Sequence, residues 1–126
     1  MGELPEPFEK AIFYEDDLLY SCLANYPKAE GHSVVVWKKS VDDLNLLSRG
    51  NYEHLMDTVD DVRDAMMKVL DVEKVYLVYM DETNHVHWHL IPRYNNKGYA
   101  VLEQEPEELE DFSLAQKMEN VLQDVK

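Results

Sequence analysis

Short runs of branched and aromatic residues recur along the chain at positions 11–14, 18–23, 33–38, 74–80 and 85–91, and each predicts a β-strand. Asp16-Asp17 supplies a turn between the first two runs and Asp81-Glu82-Thr83-Asn84 a tight connection between the last two, which implies antiparallel neighbours. Between them the period changes. Tyr52, Leu55, Met56, Val59, Val62, Met66 and Leu70 form an apolar stripe at helical spacing, predicting a long helix over 51–71. Ser40, with Asp43 three residues on, reads as the cap of a short helix over 41–47. Ser113 and Gln116 give the same signature before a C-terminal helix to about residue 125. The expected fold is α+β, a five-stranded antiparallel sheet covered on one face by a long helix and shorter ones. Pro5 and Pro7 mark a loose N-terminal arm over 1–8, and no repeat or Gly/Ser linker divides the chain, so a single domain is expected.

The run at 85–91 reads His85-Val86-His87-Trp88-His89-Leu90-Ile91 and carries three of the five histidines. A strand alternates its faces, so these imidazoles share one side while Val86, Trp88 and Leu90 form an apolar stripe on the other. Imidazole attacks, donates and accepts protons near neutral pH. Neighbouring rings discourage one another's protonation, so at least one is expected to be neutral and nucleophilic, with His87 the natural centre.

Composition narrows the partners. Twelve Lys and Arg stand against 26 Asp and Glu, a formal charge of −14, which argues against nucleic acid or an anionic membrane as a partner. An anionic small molecule is still admissible, because screening confines the repulsion and His32, His85, His89, Arg93 and Lys38 could present a local positive field. Much of the excess lies in Glu103, Glu105, Glu107, Glu108, Glu110 and Asp111, read as a solvated acidic loop over 101–112. The single cysteine, Cys22, excludes an intrachain disulfide and suits a reducing cytosol. With no apolar run of membrane-spanning length and no signal-peptide pattern, a cytoplasmic location is expected.

The triad followed by Pro92 and Arg93 resembles the histidine triad (HIT) family motif, His-x-His-x-His-x-x with apolar residues at x. Some fifty residues upstream, Pro27-Lys28-Ala29-Glu30-Gly31-His32-Ser33-Val34-Val35-Val36-Trp37-Lys38 resembles the family's Gly-His entry into an apolar strand ending in Lys, and the resemblance runs from about Tyr14 to Arg93. It implies a nucleotide hydrolase or transferase without a cofactor. His87 would attack the α-phosphorus and carry the nucleotide covalently, His89 would contact the phosphate and help the leaving group, His85 would support the array, and His32 would reach in from another strand. It also implies a homodimer.

The chain departs from the family where Gly-Gln-Ser or Gly-Gln-Thr usually precedes the triad. Here Thr83 and Asn84 are the candidate phosphate donors. Asn25 stands in for an acidic ribose ligand found in some relatives, and Leu23 or Tyr26 is expected to border the base. Two other classes stay open: a nucleotide-binding domain with little turnover, and a divalent-metal hydrolase using His85, His87, His89 and His32 as ligands. His54 is read as an exposed helix residue, Arg93 as a surface salt-bridge partner, and Trp37 and Trp88 as core.

Overall fold

The computed structural model describes residues 4–80, 83–94 and 107–125. Five strands, β1 (Ile12–Glu15), β2 (Leu19–Leu23), β3 (Ser33–Trp37), β4 (Lys74–Val78) and β5 (His87–Arg93), form one sheet in the order β1-β2-β3-β5-β4. Every neighbouring pair is antiparallel. Helix α1 (Arg49–Leu70) packs on β3, β4 and β5, and α2 (Ser113–Val125) packs on β1, β2 and α1. Both helices cover the same face of the sheet. The expected α+β architecture is therefore observed.

Register decides which side chains enter the core. Ser21, Val35 and Trp88 lie in one row across β2, β3 and β5, and Leu23, Ser33 and Leu90 in another. These rows face the helices: Ser21, Ser33, Val35 and Leu90 are fully buried. Leu55, Thr58, Val59, Val62, Ala65 and Met66 meet them from α1, a stripe that advances by three and four residues as 3.6 per turn requires. Tyr52, assigned to this stripe from the sequence, is 40 % exposed, because the buried arc begins one turn later at Leu55. Trp37 is core, whereas Trp88 is only partly buried beside Tyr79, with ring centroids 5.1 Å apart.

Several boundaries differ from the sequence reading. The helix expected over 41–47 is reduced to a 3₁₀ turn at Leu44–Leu46, with no side-chain cap from Asp43. The Val41 carbonyl accepts the Val86 amide at 2.9 Å, which ties this segment to the approach to β5. Strand β5 begins two residues late and runs through Pro92 to Arg93. Pairing with β3 ends at Leu90, so beyond it β5 is bonded on one side only, where a proline is tolerated. Ser113 is the first residue of α2 rather than its cap, and Asp111 accepts its amide at 2.9 Å.

Long helix α1 starts two residues earlier than expected. Ser48 caps it by accepting the Asn51 amide at 3.2 Å, and it ends where Asp71 turns left-handed, φ 54°. Residues 4–8 of the expected loose arm are in contact with the body: Asn25 Nδ2 donates to the Glu6 carbonyl at 2.9 Å, and Phe8 packs edge-on against Phe112. Residues 1–3, the loop residues Asp81 and Glu82, and positions 101–106 of the expected acidic loop lie outside the described residues.

Candidate active site

The sheet face away from the helices carries the histidines. Val36 pairs with His87 and Tyr20, and Val34 with His89 and Cys22, so two rows run across β5, β3 and β2 on this side. His32 joins them from just before β3. A hydrogen bond from its amide to the Ala29 carbonyl, 3.0 Å, closes the turn that positions it. Gly31 permits that turn with φ +92°, and a Cβ there would lie 2.6 Å from Leu70.

The rings form a continuous array. His87 and His89 have centroids 5.0 Å apart and His32 and His89 5.2 Å. Their protons can be assigned from the hydrogen-bond network. The Lys28 amide donates to His32 Nδ1 at 3.0 Å, so the His32 proton is on Nε2. That Nε2 lies 3.0 Å from His89 Nδ1 and donates to it, which leaves the His89 proton on its outer nitrogen, Nε2. His87 Nδ1 donates to the His85 carbonyl at 2.7 Å, so the His87 Nε2 lone pair is uncommitted by this bond. The arrangement thus sets a basic nitrogen on one ring beside a donor on the next.

Electrostatics hold the donor pair neutral. Burial pushes the His32 pKa down from 6.5 to about 3, helped by the charges His89 and Lys28 would place beside it. Burial likewise lowers His89 to about 4, with His87 and Lys28 adding to the effect. Cys22, below the same cleft, has its thiol pushed up to about 12 by burial and is not a nucleophile near neutral pH.

His85 is set apart from these rings. Its Nε2 is 2.5 Å from the Trp37 carbonyl, and the ring borders a neighbouring cleft. Its backbone carbonyl, not its imidazole, touches His87. Among the described residues no group of three His, Cys, Asp or Glu converges as metal ligands would.

A cleft of about 280 Å³ opens over His32, His87 and His89. Thr83 and Asn25 line it, and the Thr83 hydroxyl is buried with no hydrogen-bond partner among the described residues. Asn84, exposed and left-handed at φ 55°, is not among the lining residues. Leu23 does not line this cleft: it is 2 % exposed in the core and borders the adjoining cleft that shares His32, because β2 alternates and offers Tyr20, Cys22 and Ala24 here instead. Those three residues, with Val34 and Val36, carry no chemical signature and become legible only from the strand register.

The expected positive field is also rearranged. Lys38 pairs with Glu15 at 2.7 Å, and Arg93 lies 4.0 Å from Glu73 beyond the array. Lys28, not singled out from the sequence, is the cation acting on His32 and His89. Glu107, Glu108, Glu110 and Asp111 are exposed and line an adjoining cleft that shares His32. His54 is not free on the helix surface: its Nε2 meets Asp16 Oδ2 at 2.8 Å.

The fold has counterparts among known proteins. The family model for the HIT domain matches residues 7–96. An uncharacterised HIT-like protein of Methanocaldococcus jannaschii is 30% identical over 105 residues, 79% of this chain and 78% of that protein. The solved structure of the hypothetical histidine triad nucleotide-binding protein of Sulfolobus tokodaii superposes with a TM-score of 0.73 at 20% identity, covering 92% of this chain and 85% of that one. The diadenosine triphosphate hydrolase of Plasmodium falciparum gives 0.65 at 17% identity, covering 99% and 82%. No helix among the described residues is long and apolar enough to cross a membrane. With the domain match spanning most of its length, including His32, His85, His87 and His89, the chain belongs to the HIT family.

Proposed function

We propose that this chain is a nucleotide hydrolase or nucleotidyltransferase acting at the α-phosphate of nucleotide conjugates or dinucleoside polyphosphates. The observation that carries this reading is the hydrogen bond from His87 Nδ1 to the His85 carbonyl, which fixes the tautomer whose Nε2 is nucleophilic. In the first step that lone pair attacks phosphorus, the bond to the leaving-group oxygen breaks, and the nucleotide is left on His87. The leaving group departs as an anion, and the neutral His89 stabilises the charge on the phosphoryl and leaving-group oxygens by donating a hydrogen bond from Nε2–H, a proton it keeps. Water then attacks the same phosphorus, the P–N bond breaks with its electron pair returning to His87 Nε2, the proton lost by water passes to solvent, and the nucleotide is released. The buried Thr83 hydroxyl is the proposed phosphate donor in place of the family's glutamine.

One observation favours a second reading, nucleotide binding with little turnover: the stretch Asp81-Glu82-Thr83-Asn84 before the triad offers no Gly or Gln. Rapid-quench mass spectrometry with a panel of adenosine and guanosine conjugates separates the two. The catalytic reading expects an acid-labile nucleotide on His87, absent from His87→Ala, with turnover lost along with it. Substrate consumed by His87→Ala at the wild-type rate would overturn the assignment, and binding with no adduct in the wild type would establish the second reading.

The protein is further proposed to be a cytoplasmic homodimer. Leu77, 41 % exposed on edge strand β4, and Met80, 58 % exposed just beyond it, leave an apolar edge that a second copy would cover. Sedimentation equilibrium at micromolar protein should give about twice 14.8 kDa, and monomer alone would refute it.

A further inference from the structure

The turn that delivers His32 is built on a glycine, and glycine by itself holds a turn loosely. Gly31 sits at φ +92° where a Cβ would lie 2.6 Å from Leu70, yet the same lack of a side chain lets the peptide ahead of it rotate at little steric cost. Hydrogen bonds to its carbonyls have to supply the stiffness. The Ala29 carbonyl accepts the His32 amide at 3.0 Å, and the Gly31 carbonyl accepts the Ser33 hydroxyl at 2.9 Å, both donors belonging to the turn and its exit. The carbonyl between them, that of Glu30, is held from elsewhere: it accepts the hydroxyl of Tyr94.

The strand register explains how a residue 64 positions away arrives there. Strand β3 starts at Ser33, opposite Leu90, so the last residues of β5 run on past the turn while β4 supports them, as far as the pairing of Lys74 with Arg93. Tyr94 follows at once and reaches back. Burial, with the Glu30 charge adding to it, raises its hydroxyl to about 12, so it is a protonated donor near neutral pH. The side of the ring left to solvent sets the scale. Tyr94 is 49 % exposed, so water competes for both partners and the bond is one of ordinary strength, a factor of about five.

What the turn positions is read out at His89. His32 Nε2 donates to His89 Nδ1 at 3.0 Å, and beyond about 3.5 Å that contact is no longer a hydrogen bond. Without it, His89 Nδ1 loses the donor that keeps it unprotonated, and the ring is free to carry its proton on either nitrogen.

We propose that Tyr94 is a positioning residue for the histidine array: by holding the Glu30 carbonyl it fixes the turn that aims His32 at His89, and so keeps the His89 proton on Nε2. The catalytic consequence rests on the nucleotide reading above, whereas the effect on the His89 tautomer does not.

Nitrogen NMR of the isotopically labelled full chain near neutral pH reads that tautomer with no ligand present. Wild-type His89 should be predominantly the Nε2–H form. In Tyr94→Phe the ratio of the Nδ1–H to the Nε2–H form should increase about fivefold, the factor belonging to the one bond removed. With the para-nitrophenyl ester of AMP as substrate, adduct formation on His87 in a single turnover should slow, by no more than about fivefold. Adding Tyr94→Phe to His32→Asn should slow it no further, because Tyr94 acts through His32.

A His89 tautomer ratio unchanged in Tyr94→Phe overturns the proposal even if the thermal midpoint falls, since the phenol then only stabilises the fold. So does a further loss of rate when Tyr94→Phe is added to His32→Asn, which would make its action independent of His32. If the wild type forms no adduct with the ester, the nucleotide reading falls, and the tautomer ratio still decides this inference. Circular dichroism shows whether Tyr94→Phe is folded; if it is not, tetrafluorotyrosine at position 94, whose more acidic hydroxyl ceases to donate on ionising, carries the same test as a tautomer ratio that rises with pH.

Discussion

His32 illustrates how a residue's role depends on bonds the sequence does not display. The four histidines of the site are legible as a period-two run on one strand plus a Gly-His entry on another, and the structure brings His32, His87 and His89 into one array. Which nitrogen of each ring is basic follows only from the Lys28 amide and the His85 carbonyl, backbone groups with no signature in the sequence. Asn84 and Leu23 show the limit of spacing arguments: a backbone reversal removes one from the cleft lining, and strand alternation turns the other into the core. The buried pair has a consequence for stability. His32 and His89 have folded pKa values of about 3 and about 4, below the 6.5 of the unfolded chain. Above pH 6.5 both states are neutral and the pair contributes no pH dependence. As pH falls from 6.5 towards 4 the unfolded chain takes up protons that the folded one refuses, and stability is lost. Urea unfolding at pH 6.5, 5.5 and 5.0 should therefore show a stability slope approaching about 1.4 kcal/mol per pH unit for each histidine. His32→Asn should reduce the slope, and an unaltered slope in that variant would refute the buried neutral pair.

At the scale of elements, strands were legible because their residue types and alternation persist through the tertiary structure, whereas the 41–47 helix was not realised because one distant backbone bond, Val86 N–H to Val41 O, competed with local helical bonding. The turn at Asp16 carries more than its sequence suggests. Its Oδ1 accepts the Leu18 and Leu19 amides at 2.8 and 3.0 Å, and its Oδ2 meets the Tyr14 hydroxyl and His54 Nε2, both at 2.8 Å. The β1–β2 hairpin is thereby joined to α1, which packs on the sheet at β3, β4 and β5. Burial opposes ionisation of this carboxylate, but the two amides, the hydroxyl and His54 outweigh it and bring the pKa down to about 2. The same proximity, added to burial, raises the Tyr14 hydroxyl to about 12. Asp16→Ala should cost roughly 2–4 kcal/mol at pH 7, since several partly buried donors lose their acceptor together. Because Asp16 has its folded pKa below 3.8, its contribution is present above that pH and fades as pH falls towards 2. Equal destabilisation by Asp16→Ala at pH 7 and pH 2 would contradict the role assigned to its charge.

For the whole molecule, a five-stranded antiparallel sheet with helices on one face was within reach of the hydrophobic pattern, but the electrostatic setting of the site was not, because charges distant in sequence are neighbours in space. The chain carries a formal charge of −14, and Glu107, Glu108, Glu110 and Asp111 line the depression adjoining His32. Lys38 and Arg93, which could have offset this, lie beside Glu15 and Glu73, and Lys28 is the cation whose field reaches the His32–His89 pair. On the proposed reading, a phosphorylated substrate approaches through a field dominated by its own sign and meets a favourable one only within the cleft. Added salt shortens the reach of the repulsion, from a Debye length of about 30 Å at 0.01 M to about 8 Å at 0.15 M, while the contacts inside the cleft are screened much less. Affinity for AMP should consequently increase with sodium chloride across this range, the reverse of the trend for a protein that attracts anions at long range. The gain should be reduced in a Glu107→Gln/Glu108→Gln/Glu110→Gln variant, which removes three of the nearby charges. A dissociation constant that rises steadily with salt in the wild type would show instead that Lys28 and protonated histidine dominate the approach, and would refute this account of the field.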